Sequence, residues 1–338
     1  MVTFKESKFR LNQLLKILNR VSNYRPISLL TAFSKIVEKT MFKRLLSHLE
    51  KNNLLAEEQF GFRSWLSTDQ AAYTMINGIL TALNDKVKVG GIFCDLHKAF
   101  DCFDHKILIE KMKFYGIEWK FNALIQLYLT GRFQRVILGN SNDNSNLSKL
   151  KQIINGVPQG SILGPLLFLI YVNDLAEVVG RNLNMILFAD YTSILITGSN
   201  STALDANMYQ TFITINNWFN INSLTLNLNK TQFLEFKMTN LMTNNFQQIT
   251  VNATEVRFLG LTLDNTLSWN KHIDQLAAKL SSACYALRKI KLLLPQDTLK
   301  IIYFACIHSL LSYGIICWGN SSHAKKAFII IIIIKKKH

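Results

Sequence analysis

Cysteine is scarce and poorly placed for a structural role: Cys94, Cys102, Cys284, Cys306 and Cys317 are odd in number, scattered, and include no C-x-x-C pair. That argues against a disulfide framework and a zinc site, and for a reducing compartment inside the cell, cytoplasm or nucleus. The N-terminus, Met1 to Lys8, has no apolar core, so no secretory leader is expected. Acidic residues are also short, 22 Asp and Glu against 38 Lys and Arg, which leaves a formal net charge of +16 and a pI near 9.6. A surplus of that size calls for a polyanionic partner, either a nucleic acid or an anionic membrane surface. Long apolar runs are few. Ile301 to Trp318 is uncharged over 18 residues, barely enough for a span, and His308, Ser309, Ser312 and Gly314 interrupt it. A buried helix or helix pair is the better reading there, and no membrane association is expected. The tail, Ile329 to Ile334 followed by lysines and His338, is of low complexity, and residues after about His323 are expected to have no structural role.

What is present is enough apolar material for a core. With 49% hydrophobic and 11% aromatic residues over 338 positions, disorder is not the default, and the chain can hold one large domain or two to three subdomains. Leu29 to Leu49 repeats apolar residues at helical intervals (Phe33, Ile36, Val37, Met41, Leu45, Leu46), after a start signal at Asn23-Tyr24-Arg25-Pro26. Gln59 to Arg63 reads as a loop, and Ser67-Thr68-Asp69 opens a helix through about Leu83. Gly90-Gly91 introduces a short strand, Ile92-Phe93-Cys94, ending on Asp95. Residues 104 to 115 form an amphipathic helix stopped by Gly116. Arg135 to Leu138 and Gln152 to Ile154 read as strands around a polar loop, and the Gly156 to Ser161 turn leads into an apolar helix, Leu163 to Leu175. A hairpin around Asp190, a helix from about Thr202 to Asn220, strands near 233–237 and 256–263, and helices from Asn270 onward complete the pattern. Few central strands interleaved with helices make this an α+β chain.

Asp95 and Asp190 each close a short apolar strand. Two such strands can place both carboxylates on one sheet edge, where they could hold Mg²⁺, an ion that takes carboxylate oxygens and completes its shell with water and substrate phosphates. Two ions held so clamp the attacking and leaving oxygens of a phosphoryl displacement. Asp at a strand end is also an ordinary turn former. The surrounding strings sharpen the choice: Asp95-Leu96-His97-Lys98-Ala99-Phe100-Asp101, Gly156-Val157-Pro158-Gln159-Gly160-Ser161, Leu187-Phe188-Ala189-Asp190-Tyr191, and Leu226-Asn227-Leu228-Asn229-Lys230.

In order and spacing these strings resemble the reverse transcriptase of non-LTR, LINE-type, jockey-like retrotransposons. The likeness runs from Asn23-Tyr24-Arg25-Pro26-Ile27-Ser28 through Gln59-Phe60-Gly61-Phe62-Arg63 to Phe258-Leu259-Gly260, and extends to Tyr313-Gly314-Ile315-Ile316-Cys317-Trp318-Gly319. It implies a right-hand polymerase of fingers, palm and thumb, with a small antiparallel palm sheet covered by helices. Residues 1–20 would be a truncated lead-in, 21–263 fingers and palm, 264–323 a helical thumb-like region and 324–338 a low-complexity tail. Asp95 and Asp190 would be the palm metal ligands for Mg²⁺, with Mn²⁺ as a substitute, and Lys230 the proton donor to pyrophosphate. Arg25 would grip the triphosphate of a deoxynucleoside triphosphate, Phe100 would exclude a 2′-hydroxyl, and Pro158, Gln159 and Gly160 would line the nucleotide. Arg63 would touch the RNA template, and Phe258, Leu259 and Gly260 would grip the DNA primer. The bland reading of each stays open: a core aromatic for Phe100, a solvated cation for Lys230, Arg25 and Arg63, a helix-entry turn for Gln159. The resemblance leaves the oligomeric state unassigned.

The departures bear on activity. Tyr191 stands where this family carries a second aspartate. A phenol is neutral at pH 7, so the edge loses one negative charge and an oxygen ligand. Ser64-Trp65-Leu66 departs from the usual small, basic composition, and neither an endonuclease segment ahead nor a Cys/His knuckle behind is seen. The expectation is an RNA-directed DNA polymerase domain with impaired catalysis. The alternatives are a non-catalytic nucleic-acid-binding remnant of a decayed element, and a membrane-anchored protein using residues 301–318.

Overall fold

The computed structural model describes residues 30–134, 148–180, 184–238 and 253–329, together with the backbone of 2–4, 26–28 and 136–137. Arg25, most of the 1–20 lead-in and the polar loop after Ile137 lie outside the described residues. The chain divides into two compact units, one of Met1–Phe62, Leu96–Val178 and Ile215–Asn227, the other of Arg63–Asp95, Val179–Thr214 and Leu228–His338.

The second unit opens with helix α1 (Thr68–Asn84), which starts where the sequence places it. Ser67 and Gln70 form a capping box that satisfies two backbone N–H groups at once. Strands β1 (Lys88–Asp95), β2 (Asn184–Phe188), β3 (Tyr191–Gly198) and β4 (Gln232–Phe236) form a four-stranded antiparallel sheet in the order β2-β3-β1-β4. α1 lays Ala71, Ala72, Met75, Ile76 and Ile79, spaced at helical intervals, on this sheet. Gly90 and Gly91 do not introduce the central strand; they lie within it. A Cβ at Gly90 would stand 2.5 Å from the Met208 sulfur, so the glycine admits helix α2 (Ser201–Ile221) close to the strand. The strand expected over 256–263 is a hairpin, β5 (Glu255–Phe258) and β6 (Leu261–Asp264), followed by helix α3 (Asn270–Ile290) packed on β6.

Ile301 to Trp318 is broken into short pieces: Gln296–Tyr303, a π-turn at Phe304–His308, Ser309–Ser312 and Ile315–Trp318. Ile307, Leu311 and Trp318 are buried while Ile301, Phe304 and Ile316 stay exposed, so the segment is only partly the buried helix pair expected. Among the described residues no helix is long and apolar enough to cross a membrane. The expectation that nothing after His323 has a structural role does not hold for residues 324–329. They are helical, Ala324 and Ala327 are buried, Phe328 stacks on Trp318, and Lys326 pairs with Asp274.

In the first unit the apolar helix Leu163–Val172 is buried along almost its whole length, between the helices Ala32–Lys51 and His105–Phe114. Asp104 caps the latter by accepting from Lys106 N and Ile107 N. The single helix expected from Leu163 to Leu175 ends at Val172, and Leu175–Val179 is a separate element. Between them the Asn173 side chain turns away to bond Ala56 N, Leu54 O and the Tyr115 hydroxyl.

Candidate active site

β1 delivers Asp95 to the end of the sheet and buries it to 5% exposure. β2 and β3 are joined by a two-residue turn, Ala189-Asp190, with Phe188 paired to Tyr191. Ala189 takes a φ of 54°, a left-handed conformation that alanine adopts only under constraint. Across the strands Asp95 pairs with Tyr191, so Asp190 immediately precedes the residue facing Asp95 and both aspartates stand at one end of the sheet. Lys230, from the turn before β4, brings its Nζ to 2.6 Å from Asp95 Oδ2, with the lysine largely exposed and the carboxylate not. A cleft of about 330 Å³ is lined by Asp95, Tyr191, Ser193, Lys230, Arg257 and Phe258. Tyr191 stands 46% exposed on its rim. One residue before Asp95, burial drives the Cys94 thiol up to about 12, so it is inert filling.

The donor set suits a hard divalent cation in kind but is thin. It offers two carboxylates, and among the described residues no group of three or more His, Cys, Asp or Glu could hold a metal. The residue paired with Asp95 at this edge, Tyr191, brings a phenol.

The β5–β6 turn splits the three residues expected to act together. Phe258 points into the core, 3% exposed, with its ring edge-on to Phe93 at 5.8 Å. Leu259 and Gly260 form the turn with φ of 44° and 84°, the pair of left-handed residues that a tight hairpin requires. The Tyr313 hydroxyl donates to the Leu259 carbonyl, its ring lies against Gly260, and Gly314 N donates to Asp69 Oδ1 at 2.8 Å. Tyr313 is thus the brace of this turn, a role that nothing in its local sequence announces. Nearby His272 is buried against the rings of Trp269 and Trp318, and burial, reinforced by the Lys279 ammonium, lowers it to about 4.

In the first unit the Gly156 to Ser161 turn is clamped to the segment after Ala99. Gly156 N donates to Phe103 O at 2.9 Å and Val157 N to Phe100 O at 2.8 Å, while a His105 ring nitrogen lies 2.7 Å from Gly156 O. Gly156 has a φ of 69°, and a Cβ there would stand 2.4 Å from the Phe100 carbonyl oxygen, so no other residue fits. Pro158 is buried, Gln159 half-buried and Gly160 exposed. The Gln159 side-chain amide donates to both oxygens of Asp101 at 3.0 and 3.1 Å, and the Gln159 backbone carbonyl accepts from Ser28 N at 2.9 Å. Glu38, 2% exposed, accepts from Ile162 N at 2.6 Å and shares the capping of the helix entry with the turn's own Ser161, whose hydroxyl accepts from Gly164 N at 3.0 Å. Phe100 packs on Phe168 at 4.8 Å and meets Phe62 edge-on at 6.1 Å, half inside an aromatic cluster.

The structure therefore gathers Asp95, Asp190, Lys230, Phe258, Leu259 and Gly260 in one unit and Phe100, Pro158, Gln159 and Gly160 in the other. Arg63 is half-buried at the start of the second unit. The sequence reading missed Glu38, Asp101 as a partner of Gln159, and Tyr313. Of these, Asp101 and Tyr313 sat inside strings already singled out, but neither string showed the contact that its residue makes.

An α+β chain whose antiparallel sheet carries one aspartate at the end of its central strand and another on the adjoining hairpin has the fold class of right-hand polymerases. The family model described as reverse transcriptase (RNA-dependent DNA polymerase) matches residues 13–263, and the chain belongs to that family. It is 27% identical over 317 residues to the probable RNA-directed DNA polymerase from transposon BS of Drosophila melanogaster, covering 88% of this chain and 34% of that protein. The RNA-directed DNA polymerase from mobile element jockey of D. melanogaster is 26% identical over 92% of this chain and 35% of its own length. Its counterpart in Drosophila funebris is 30% identical over 76% and 28%. The chain thus spans about a third of the length of the curated relatives it matches, all of them from mobile elements. Among solved structures, a telomerase from Candida albicans is similar with a TM-score of 0.49 and 12% identity, over 88% of this chain and 54% of that one. Reverse transcriptases work with a nucleic acid template and use divalent metal ions.

Proposed function

We propose that the chain is the RNA-directed DNA polymerase domain of a non-LTR retrotransposon, extending a DNA primer on an RNA template with deoxynucleoside triphosphates, and that Tyr191 depresses its rate. The observation that carries this reading is the strand register pairing Asp95 with Tyr191, which sets Asp95 and Asp190 at one sheet end beside Lys230. In the full assignment 21–263 would be fingers and palm and 264–323 the thumb-like helices, whose exposed Lys279, Arg288 and Lys289 would follow duplex phosphates. Working inside the cell, in cytoplasm or nucleus, fits five cysteines that are all free thiols.

Asp95 and Asp190 would hold Mg²⁺, which when bound supplies charge stabilisation to the transferring phosphoryl group. Lys230 holds Asp95 in place and is the nearest cation for protonating the pyrophosphate leaving group. Phe100, fixed by Phe168, would exclude a 2′-hydroxyl, and Pro158, Gln159 and Gly160 would line the base and sugar. Arg25 would take the triphosphate, Arg63 the template, and the Leu259-Gly260 turn braced by Tyr313 the primer end. Removing one carboxylate from such a site costs several kcal/mol of stabilisation, roughly a thousandfold in rate.

Primer extension on an RNA template tests the reading. The unaltered chain is expected to extend slowly or not at all, Tyr191→Asp to extend readily, and Asp95→Asn in the Tyr191→Asp background to abolish the gain. Fast extension by the unaltered chain would remove the role given to Tyr191. The second reading, a binding remnant without turnover, draws on the same Tyr191 and the net charge of +16. It predicts salt-dependent binding of a template–primer duplex with no extension even by the Tyr191→Asp chain.

A further inference from the structure

Asp101 lies six residues beyond the metal-edge aspartate, yet its carboxylate is turned to Gln159, whose Nε2 meets Oδ1 at 3.0 Å and Oδ2 at 3.1 Å. An ionised carboxylate can only accept, and an amide has one donating and one accepting end, so the nitrogen of Gln159 must face Asp101 and its Oε1 must face away. The bond is charge-assisted and therefore strong enough to fix that orientation. Both backbones are already tied down, Asp101 N to Lys98 O at 2.8 Å and Ser28 N to Gln159 O at 2.9 Å. The turn itself is held against the Phe100–Phe103 segment by the Gly156 and Val157 backbone bonds and by His105. The Asp101–Gln159 contact thus adds little to the attachment of the turn. What it adds is a defined polarity for one half-buried amide.

We propose that Asp101 is a positioning residue of the nucleotide pocket: it locks the Gln159 amide with Oε1 outward, so that the pocket presents a hydrogen-bond acceptor to a donor group on the incoming nucleotide. This rests on the nucleotide-lining role given above to Gln159. In Gln159→Glu two carboxylates face one another, the lock is lost, and nucleotide affinity falls roughly tenfold. Asp101→Asn lets the amide turn either way and weakens binding several-fold. The double variant Asp101→Asn/Gln159→Glu reverses the donor and acceptor of the pair and again leaves an acceptor outward, so it recovers affinity to within about threefold of the original.

The test is equilibrium binding of a deoxynucleoside triphosphate, with Mg²⁺, to the full chain on a template–primer whose primer lacks its terminal 3′-hydroxyl, so that no variant turns over. It is paired with the ¹H–¹⁵N resonances of the Gln159 side-chain amide in the free protein. Rescue by the double variant, together with an upfield move of the Gln159 amide protons in Asp101→Ala, supports the assignment. A double variant as weak as Gln159→Glu alone overturns it, as does nucleotide binding unaffected by Asp101→Ala. If the unaltered chain binds template–primer but no nucleotide, the proposed function falls and this inference with it, whatever the amide resonances show.

Discussion

The Gly156 to Ser161 turn and the hairpin at Asp190 both carry residues assigned to chemistry, but they depend on those residues in different ways. In the turn, identity and fold are inseparable. Gly156 is the only residue that clears the Phe100 carbonyl, and the helix that follows is capped by a glutamate more than 120 positions earlier in the sequence. In the hairpin the departing residue sits at the first position of β3, half-exposed, with Thr192 to Ile196 buried behind it. An aromatic side chain suits a strand at least as well as an aspartate does. An exchange of Asp for Tyr at such a half-exposed strand end is expected to spare register and core while withdrawing a carboxylate from the cleft. On the reading proposed above, a change at the hairpin would therefore be chemically severe and structurally silent, and one at the turn the reverse.

That contrast can be broken by experiment. The largest effect expected is on rate: Tyr191→Asp should raise single-turnover primer extension by about a thousandfold. A gain below about tenfold would mean that the lesion is not confined to the hairpin. Next is Gly156→Ala, which combines a left-handed φ with backbone overlap and should destabilise the first unit by about 3 kcal/mol in denaturant melts. An unchanged midpoint would show that the turn is as tolerant as the hairpin.

A smaller effect separates the units by pH. His272 is held neutral in the second unit, and its folded value, about 4, lies below the ordinary unfolded one. The unfolded chain therefore binds the extra proton first, and stability falls as pH drops from about 6.5 toward 4, then levels off. The loss should be roughly 2 kcal/mol after solvent screening, localised to the second unit in hydrogen exchange and absent in His272→Gln. Burial pushes the Asp264 carboxyl up, but hydrogen bonds from Ser268, Thr266 and Trp269 outweigh it and carry it below the usual carboxylate range. Its contribution stays intact through the His272 window and is lost only at lower pH, which keeps the two steps distinct. Smallest of all, Tyr191→Asp should shift the unfolding midpoint by less than about 0.5 kcal/mol, because the position is a half-exposed strand end.

How much of this was legible in the sequence follows the range over which each signal acts. Ser67 announces α1 because a capping box is closed within three residues. Phe188 to Tyr191 reads as a hairpin because the apolar runs on either side are local. Gly90-Gly91 was misread as a strand's opening because the reason for glycine there is Met208, on a helix more than 110 residues later. Glu38 and Tyr313 were illegible for the same reason. A buried glutamate on an amphipathic helix resembles any other charged helix residue until Ile162 and Leu163 arrive beside it. Composition alone marks the residues after His323 as featureless, yet Ala324 and Ala327 are buried and Phe328 stacks on Trp318. Asp101 lay in a recognised string, but its partner could be found only in three dimensions.

The bond from Gly314 N to Asp69 Oδ1 joins positions 245 residues apart. The second unit is assembled from three separated stretches of chain, with β1 waiting first for β3 and then for β4. As the protein leaves the ribosome, the edge that carries Asp95 therefore stays unpaired until its partners are made, and the Leu259-Gly260 turn gets its brace only once Tyr313 has been made. Until then β1 presents an apolar strand with open edges, a species prone to pairing with other chains.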